Sequence, residues 1–370
     1  MTEKENKNIE EVSLIEVRKK INQIDEEMAK LFEERMEAAN KVAEYKIAHA
    51  LPIFDAAREQ EVINRNSNYI KNNVIKEYYI NFLKDTMNIS KQYQSRLMNG
   101  MKVAYCGVEG AFAHIAAMKM FKGAIYVNYP DFPSAYEATV TGECDTCVLP
   151  LENSFAGEVG LVMDLIFSGP LFINQVVELD VVHNLLAKKG ASLKNIKKVI
   201  SHQQALSQCS KYIEKHQFES IEAPNTAMAA KFVAENDDLQ IAAIASTDTA
   251  NLYGLEILET NINTSRNNTT RFGAFSRTLN QDSKSNLSED HSIIVFTVKN
   301  EAGALAKTLN IIGSHGFNMR SLRSRPMKEL IWNYYFYVEL EGNINSSEGK
   351  DLIRALSIFC DKLKIVGLYK

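Results

Sequence analysis

Distinguishing signatures are scarce in these 370 residues. Cys106, Cys144, Cys147, Cys209 and Cys360 are too few, and odd in number, for a disulfide framework, and point to a reducing cytoplasm. No apolar run reaches the ~18 residues of a membrane span, and the N-terminal MTEKENKNIEEVS lacks the apolar core of a secretory signal. Neither sign of charge dominates: 42 Lys+Arg against 46 Asp+Glu leave −4, without the basic excess of a nucleic-acid binder. Neither GxGxxG nor GxxxxGK[ST] occurs, and Gly107 with Gly110 supplies only a GxxG half, which argues against dinucleotide and P-loop sites. The seven histidines form no HExxH, and no GxSxG elbow is present. Cys144 and Cys147 have CxxC spacing without a second ligand pair and read as incidental thiols. No metal or cofactor is expected, and any chemistry must work by positioning and electrostatics.

What is present falls into three segments of different periodicity. Over 11–48 apolar residues (Val17, Ile21, Ile24, Met28, Leu31, Phe32, Met36, Val42, Ile47) recur at steps of mostly three and four, uninterrupted by Gly or Pro. Such a helix, ~55 Å long, must lie along other helices or a second copy. Pro52 ends it, and helical stretches over 55–71 and 74–97 follow. From Met101, short β-rich runs (KVAYCGV, AIYVNY, DTCVLPL, KKVISH, QIAAIAS) alternate with Ala-rich helical ones, an α/β organisation to about 277. The polar stretch TLNQDSKSNLSED reads as a flexible linker, and the last 80 residues give β-α-β-β-α-β, the ferredoxin-like split unit.

In the first segment Arg35 and Lys46, 11 residues apart, differ by only ~20° around a helix, whereas Arg18 and Arg35, 17 apart, are ~100° out of alignment. Arg18 is therefore expected to serve another site, such as a neighbour's. Asp55, Arg58 and Glu59 cluster after Pro52, and Ser90 with Gln94 forms an i, i+4 pair. On composition alone a solvated charged helix with surface pairs is the favoured explanation of these residues. VRKKINQIDEEMAKLFEERMEAANKVAEYKIAHALPIFDAAREQEVI, however, closely resembles the all-helical, AroQ-type chorismate mutase domain over about 13–95. The resemblance implies an intertwined dimer in which Arg18 of the partner and Arg35 hold substrate carboxylates. Lys46 and Gln94 would contact the ether oxygen, Asp55 and Glu59 the hydroxyl region, and Ser90 a carboxylate, with Arg58 in the binding site. Chorismate to prephenate is a pericyclic rearrangement. It needs the compact conformer held and charge stabilised on the breaking ether oxygen, work suited to arginine forks and a lysine beside a glutamine.

The middle segment carries Gly107-x-x-Gly110, LPLENS at 149–154, SHQQALSQC at 201–209 and NNTTRF at 267–272. Singly these are weak: Asn153 and Ser154 suit a helix cap, and His202 an ordinary structural histidine. In this order and spacing they resemble prephenate dehydratase over about 101–277, a family of two α/β lobes, like periplasmic binding proteins, with the site between them. The resemblance implies Thr270 as the essential hydroxyl, Arg271 as a carboxylate binder, and Glu152, Asn153, Ser154, His202, Gln204, Gln208 and Thr226 in or near the cleft. Loss of the prephenate 4-hydroxyl needs a proton donor, and Glu152 as a protonated acid is expected to back Thr270 there. Where relatives carry hydroxyls in the glycine loop this chain has Ala111 and Ala113, so hydrogen bonds from that loop must come from backbone N–H groups.

The last segment resembles an ACT module. Gly303-Ala304-Leu305 and Ser324-Arg325-Pro326 match its effector motifs, but Arg323 stands where relatives carry glutamate. L-phenylalanine is the expected effector, acting through a module that the linker leaves free to move. The chain as a whole is similar to bifunctional chorismate mutase/prephenate dehydratases. The implied architecture is multidomain: an all-α mutase (8–98), a two-lobed α/β dehydratase (101–278) and an α+β ACT module (291–370). Its substrates would be chorismate and prephenate, its assembly a homodimer or dimer of dimers, its location cytoplasmic, with no nucleic-acid or membrane partner. A small-molecule sensor on the same two-lobed fold is the rival expectation.

Overall fold

The structure, a computed structural model, describes residues 14–265, 268–280, 290–327 and 333–370. It divides into two compact units, Met1–Gly100 and Met101–Lys370. No helix among the described residues is long and apolar enough to cross a membrane. The first three residues of the expected long helix, and residues 281–289 of the expected linker, lie outside the described residues.

The first unit is helical: α1 (Leu14–Ala48), α2 (Ala56–Ser67) and α3 (Asn73–Asn99). The break after α1 comes four residues before Pro52, where Ala50 takes a left-handed φ of 51°. Asp55 starts α2 by accepting the Arg58 N–H at 3.0 Å, and Asn72 starts α3 by accepting that of Val74 at 2.9 Å. Gly100 ends α3 at a φ of 87°. Ala39 and Ala43, small enough for close approach, are buried where α1 packs along α3, whose Leu83, Met87, Ser90 and Gln94 are buried. The N-terminal half of α1 is different: Val17, Ile21, Ile24, Met28, Leu31 and Phe32 are all at least 40% exposed.

The second unit opens with β1 (Lys102–Cys106), α4 (Phe112–Met120), β2 (Ile125–Tyr129), α5 (Phe132–Val140), β3 (Thr146–Asn153), β4 (Gly157–Glu158), α6 (Gly160–Ser168) and β5 (Phe172–Asp180). The chain then builds a second lobe from β6 (Asn184–Ala187), β7 (Lys198–Ser201), α7 (Gln203–Gln208), α8 (Ser210–His216), β8 (Glu219–Glu222), α9 (Thr226–Glu235), β9 (Ile241–Ala245), α10 (Thr247–Tyr253) and β10 (Glu256–Glu259). It returns through β11 (Thr269–Ser276), which lies antiparallel between β3 and β5. Two chain crossings thus join the lobes. The alanine-rich helices that suggested α/β order put small residues against the sheets, with Ala116, Ala117, Ala229 and Ala230 fully buried.

The remainder follows the β-α-β-β-α-β order: β12 (His291–Thr297), α11 (Ala304–Ser314), β13 (Asn318–Pro326), β14 (Tyr334–Glu341), α12 (Ser347–Phe359) and β15 (Lys362–Tyr369). One face of this sheet (Ile294, Phe296, Val338, Leu340) packs on its own α11 and α12. The alternate residues Ile293, Val295, Tyr335, Tyr337, Val366 and Tyr369 enter one core with Met163, Ile166, Ile173 and Phe275 of the first lobe. Tyr335 stacks on Phe167 at 4.3 Å. β15 also pairs parallel with β5, so a ten-stranded sheet runs β13-β14-β12-β15-β5-β11-β3-β1-β2, with β4 on β3. This corrects the expectation of a module free to move, because the apolar face opposite its helices is buried against the lobe. The second lobe has its own five-stranded sheet, β10-β6-β9-β7-β8.

Candidate active sites

In the helical unit a cavity of about 370 Å³ is lined from all three helices by Arg35, Lys46, Asp55, Arg58, Glu59, Ser90 and Gln94, among others. The Arg35 guanidinium donates to Ser90 Oγ and, at 3.3 Å, to the Thr86 carbonyl. Lys46 Nζ donates to the Ile53 carbonyl at 2.6 Å, so the turn ending α1 presents the ammonium to the cavity. Gln94 is buried, and its Oε1 has no hydrogen-bond partner among the described residues. Asp55 doubles as the α2 cap, and Arg58 pairs with exposed Glu61 at 2.8 Å. Lys91, not singled out from the sequence, also lines the cavity, with Nζ 2.7 Å from Glu59 Oε1 and 5.2 Å above the Phe54 ring. Its signal was available: residues 91 and 94 share a helix face. Arg18 is not among the lining residues. Seventeen residues up the helix from Arg35, it lies about 25 Å away along the axis, beyond any side chain's reach.

In the second unit a cavity of about 420 Å³ opens between the lobes. Asn153, Thr270 and Phe272 line it from the first sheet, and His202, Gln204, Gln208 and Thr226 from the second lobe. Thr270 Oγ1 accepts the Asn153 Nδ2 hydrogen at 2.9 Å, and Asn153 Oδ1 accepts the N–H groups of Phe155 and Ala156 at 3.0 and 2.9 Å. Asn153 therefore braces a turn and β11 rather than capping a helix. Ser154 Oγ accepts the Thr269 N–H at 2.9 Å, tying the same two strands together outside the cavity lining. His202 accepts the Gln204 N–H at 3.3 Å and starts α7. Ala111 and Ala113 line the cavity where α4 begins, and Asn225 and Thr226 where α9 begins. Two helix N-termini, each carrying partial positive charge, thus open onto it. His183, missed in the sequence, also lines it: Nε2 is 2.9 Å from Gln208 Oε1, and burial pushes its pKa down, favouring the neutral ring. Its one sequence signal is a histidine interrupting the apolar run VVHNLLA.

Glu152 and Arg271 are not there. A strand sends successive side chains to opposite faces, so one residue from Asn153 and Thr270 both turn to the far side of the sheet. Arg271 donates to Glu152 at 2.7 Å, to both oxygens of Glu339 at 3.0 and 2.8 Å, and to the Tyr369 hydroxyl at 2.7 Å. Arg323 donates to the other Glu152 oxygen. This corrects two expectations. Arg271 is occupied by carboxylates of its own chain, and Glu152 is no protonated acid: burial pushes its carboxyl up, but Arg323 and Arg271 outweigh that and hold it below the usual 4.5. No Lys or Arg lines the cleft cavity among the described residues. In the module, Gly303 starts α11 at a φ of 82°, ahead of Ala304 and Leu305. Ser324, Arg325 and Pro326 end β13, but Arg325 is engaged by Glu158 at 2.7 Å and Asp164 at 3.3 Å, which corrects its expected availability to an effector.

Against family models the chain matches chorismate mutase type II over residues 17–95, prephenate dehydratase over 103–280 and the ACT domain over 291–357. It is 31% identical to the bifunctional chorismate mutase/prephenate dehydratase of Aquifex aeolicus, across 96% of this chain and 97% of that one. The chain belongs to the bifunctional chorismate mutase/prephenate dehydratase family. Among solved structures, GqqA, described as a novel type of quorum quenching acylase, is similar at 28% identity and a TM-score of 0.67, covering 72% of this chain and 97% of that one. The prephenate dehydratase of Arthrobacter aurescens in complex with L-Phe is similar at 25% identity and a TM-score of 0.66, covering 73% and 89%. The mutase and dehydratase regions of this family member each contain one of the two cavities described above.

Proposed function

We propose that the helical unit rearranges chorismate to prephenate, and that the cleft then converts prephenate to phenylpyruvate, CO₂ and water. The observation supporting this most directly is that seven side chains of the expected mutase set, Arg35, Lys46, Asp55, Arg58, Glu59, Ser90 and Gln94, border one cavity of substrate size. Arg35 would take one carboxylate of chorismate, and Lys46 with the Gln94 amide would face the ether oxygen where charge develops. Besides Arg35 the same chain offers the second carboxylate only Arg58, which lines the cavity but pairs with Glu61, and Arg18 is a half-helix away. The exposed apolar stripe around Arg18 suits a second copy of the chain, which would bring its own Arg18 to this cavity. A homodimer, or a dimer of dimers, follows from that reading, and a cytoplasmic location is proposed beside it.

In the cleft, Thr270 accepts from Asn153 and so keeps its own hydrogen to donate to the departing 4-hydroxyl. The C–O bonding pair leaves with that oxygen, the pair of the breaking C–CO₂ bond completes the aromatic ring, and water restores the Thr270 proton. With Arg271 turned away, the surviving pyruvyl carboxylate falls to the N-termini of α4 and α9, with the first-turn N–H groups of Phe112 and Ala113 and of Thr226 and Ala227 as donors, since the Ala111 N–H is held by the Val108 carbonyl. L-phenylalanine is proposed as an effector of the C-terminal module, recognised at the α11 N-terminus; the binding of L-Phe to the Arthrobacter relative supports it. Incubating the protein with chorismate, and following chorismate loss and phenylpyruvate formation separately, tests both activities. Chorismate loss without phenylpyruvate would remove the cleft assignment, and no loss of chorismate would remove that of the helical cavity.

A further inference from the structure

Behind the cleft lies a charged cluster that takes no part in the chemistry above. Glu339, 1% exposed on β14, grips the Arg271 guanidinium with both carboxylate oxygens and also accepts from the Tyr369 hydroxyl. Arg271 in turn holds Glu152, which Arg323 holds from the other side. Glu339, Tyr369 and Arg323 all come from the C-terminal module. Arg271 and Glu152 are direct chain neighbours of Thr270 and Asn153, and the two pairs sit opposite one another in the β11–β3 register. That register shifts immediately after, between Arg271 and Phe272, an irregularity of the kind that re-aims side chains beside active sites.

We propose that Glu339 is a positioning residue for the dehydration step, fixing through Arg271 and Glu152 the alignment at which Thr270 meets Asn153. The proposal rests on the cleft being the dehydratase site. Stability alone does not account for the cluster. The apolar core of Ile293, Val295, Tyr335 and Tyr337 already holds the module to the lobe, and buried ion clusters are commonly no more stabilising than apolar replacements. A two-pronged carboxylate–guanidinium pair instead supplies direction. It sets the Arg271 side chain, and hence its strand segment, and a misplacement on the order of 1 Å is enough to cost a positioned donor about 10²-fold in rate.

The test uses the full chain with Glu339→Gln, which keeps shape and removes charge. The expected result is a kcat for prephenate about 10- to 100-fold below native with KM within about twofold, chorismate rearrangement unchanged, and a moved Thr270 methyl resonance in threonine-labelled NMR spectra. Ile293→Val, in the same interface but outside the cluster, should lower Tm while leaving kcat and the Thr270 resonance near native. A Glu339→Gln kcat within twofold of native, or a loss matched by Ile293→Val at equal Tm, overturns the proposal. If Glu339→Gln does not fold, Tyr369→Phe, which removes one hydroxyl from the cluster, should lower kcat about fivefold; unchanged kcat there overturns it as well. Native turnover with unaffected variants removes this inference alone, whereas a native protein that leaves prephenate intact removes the cleft assignment and this inference with it.

Discussion

Thr270 and Arg271 are adjacent in the chain, and the sheet gives them opposite faces. Thr270→Ala is expected to lower dehydration about 10²- to 10⁴-fold, the usual worth of a positioned proton donor, while chorismate rearrangement stays native. Thr270→Ser should keep most of the rate, and coupled assays on each substrate check both. The far-face carboxylates carry a pH signature. Burial pushes the Glu339 carboxyl up, but Arg271 and the Tyr369 hydroxyl outweigh it, so its folded pKa lies below the usual 4.5. A carboxylate depressed on folding contributes stability that is complete above the unfolded pKa and lost as pH falls through the folded one. The stability difference between native and Glu339→Gln should therefore be full above about pH 4.5 and shrink below it, as denaturant titrations across pH 3–6 would register. At this scale the motif string was legible and its orientation was not. The residues around Thr270 pointed to the strand that borders the cleft, but which neighbour faces it depends on register against β3 and β5, partners more than 90 residues away in sequence.

Among the elements, α1 has two halves with different tasks. Its C-terminal half carries Arg35 and Lys46 into a cavity and buries alanines against α3; its N-terminal half leaves a row of apolar side chains uncovered around Arg18. Periodicity alone exposed this helix, because an uninterrupted 3.6-residue repeat has one structural meaning. If Arg18 serves the partner's cavity, mixing inactive Arg18→Ala and Arg35→Ala proteins should restore about a quarter of native mutase activity, since half the dimers are mixed and each mixed dimer holds one intact site. Activity no higher than the separate variants, in samples with verified subunit exchange, would place Arg18 elsewhere. Lys46→Ala and Gln94→Ala should each cut the rearrangement rate about 10²-fold or more, by analogy with lost oxyanion donors. The strand-helix alternation after Met101 was equally readable. What it withheld is that the second lobe is an insertion between β5 and β11, strands that become neighbours only in the folded sheet.

At the scale of the molecule, division after Gly100 separates two compact units. Residues 1–100 and 101–370, made separately, should therefore retain rearrangement and dehydration respectively, provided the first can still associate with itself. Truncation after residue 280 should behave differently. It strips Ile293, Val295, Tyr335 and Val366 from a core they share with Ile173 and Phe275, exposing apolar surface on the first lobe, and the product should aggregate or melt far below the native Tm. Composition suggested a tether and a separate module because a polar stretch lies between them; the burial of the module's second sheet face was not visible in strand alternation, which looks alike whether that face meets water or protein. The seam itself is narrow. β15 meets β5 at one register pair, Gly367 opposite Ile173, and a methyl group on Gly367 would lie 2.7 Å from the Ile173 carbonyl oxygen. In mechanical language this is the perforation in the sheet. Where the ladder of hydrogen bonds thins to one pair the shared apolar core carries the join, and the single added carbon of Gly367→Ala would push the two strands apart at that pair.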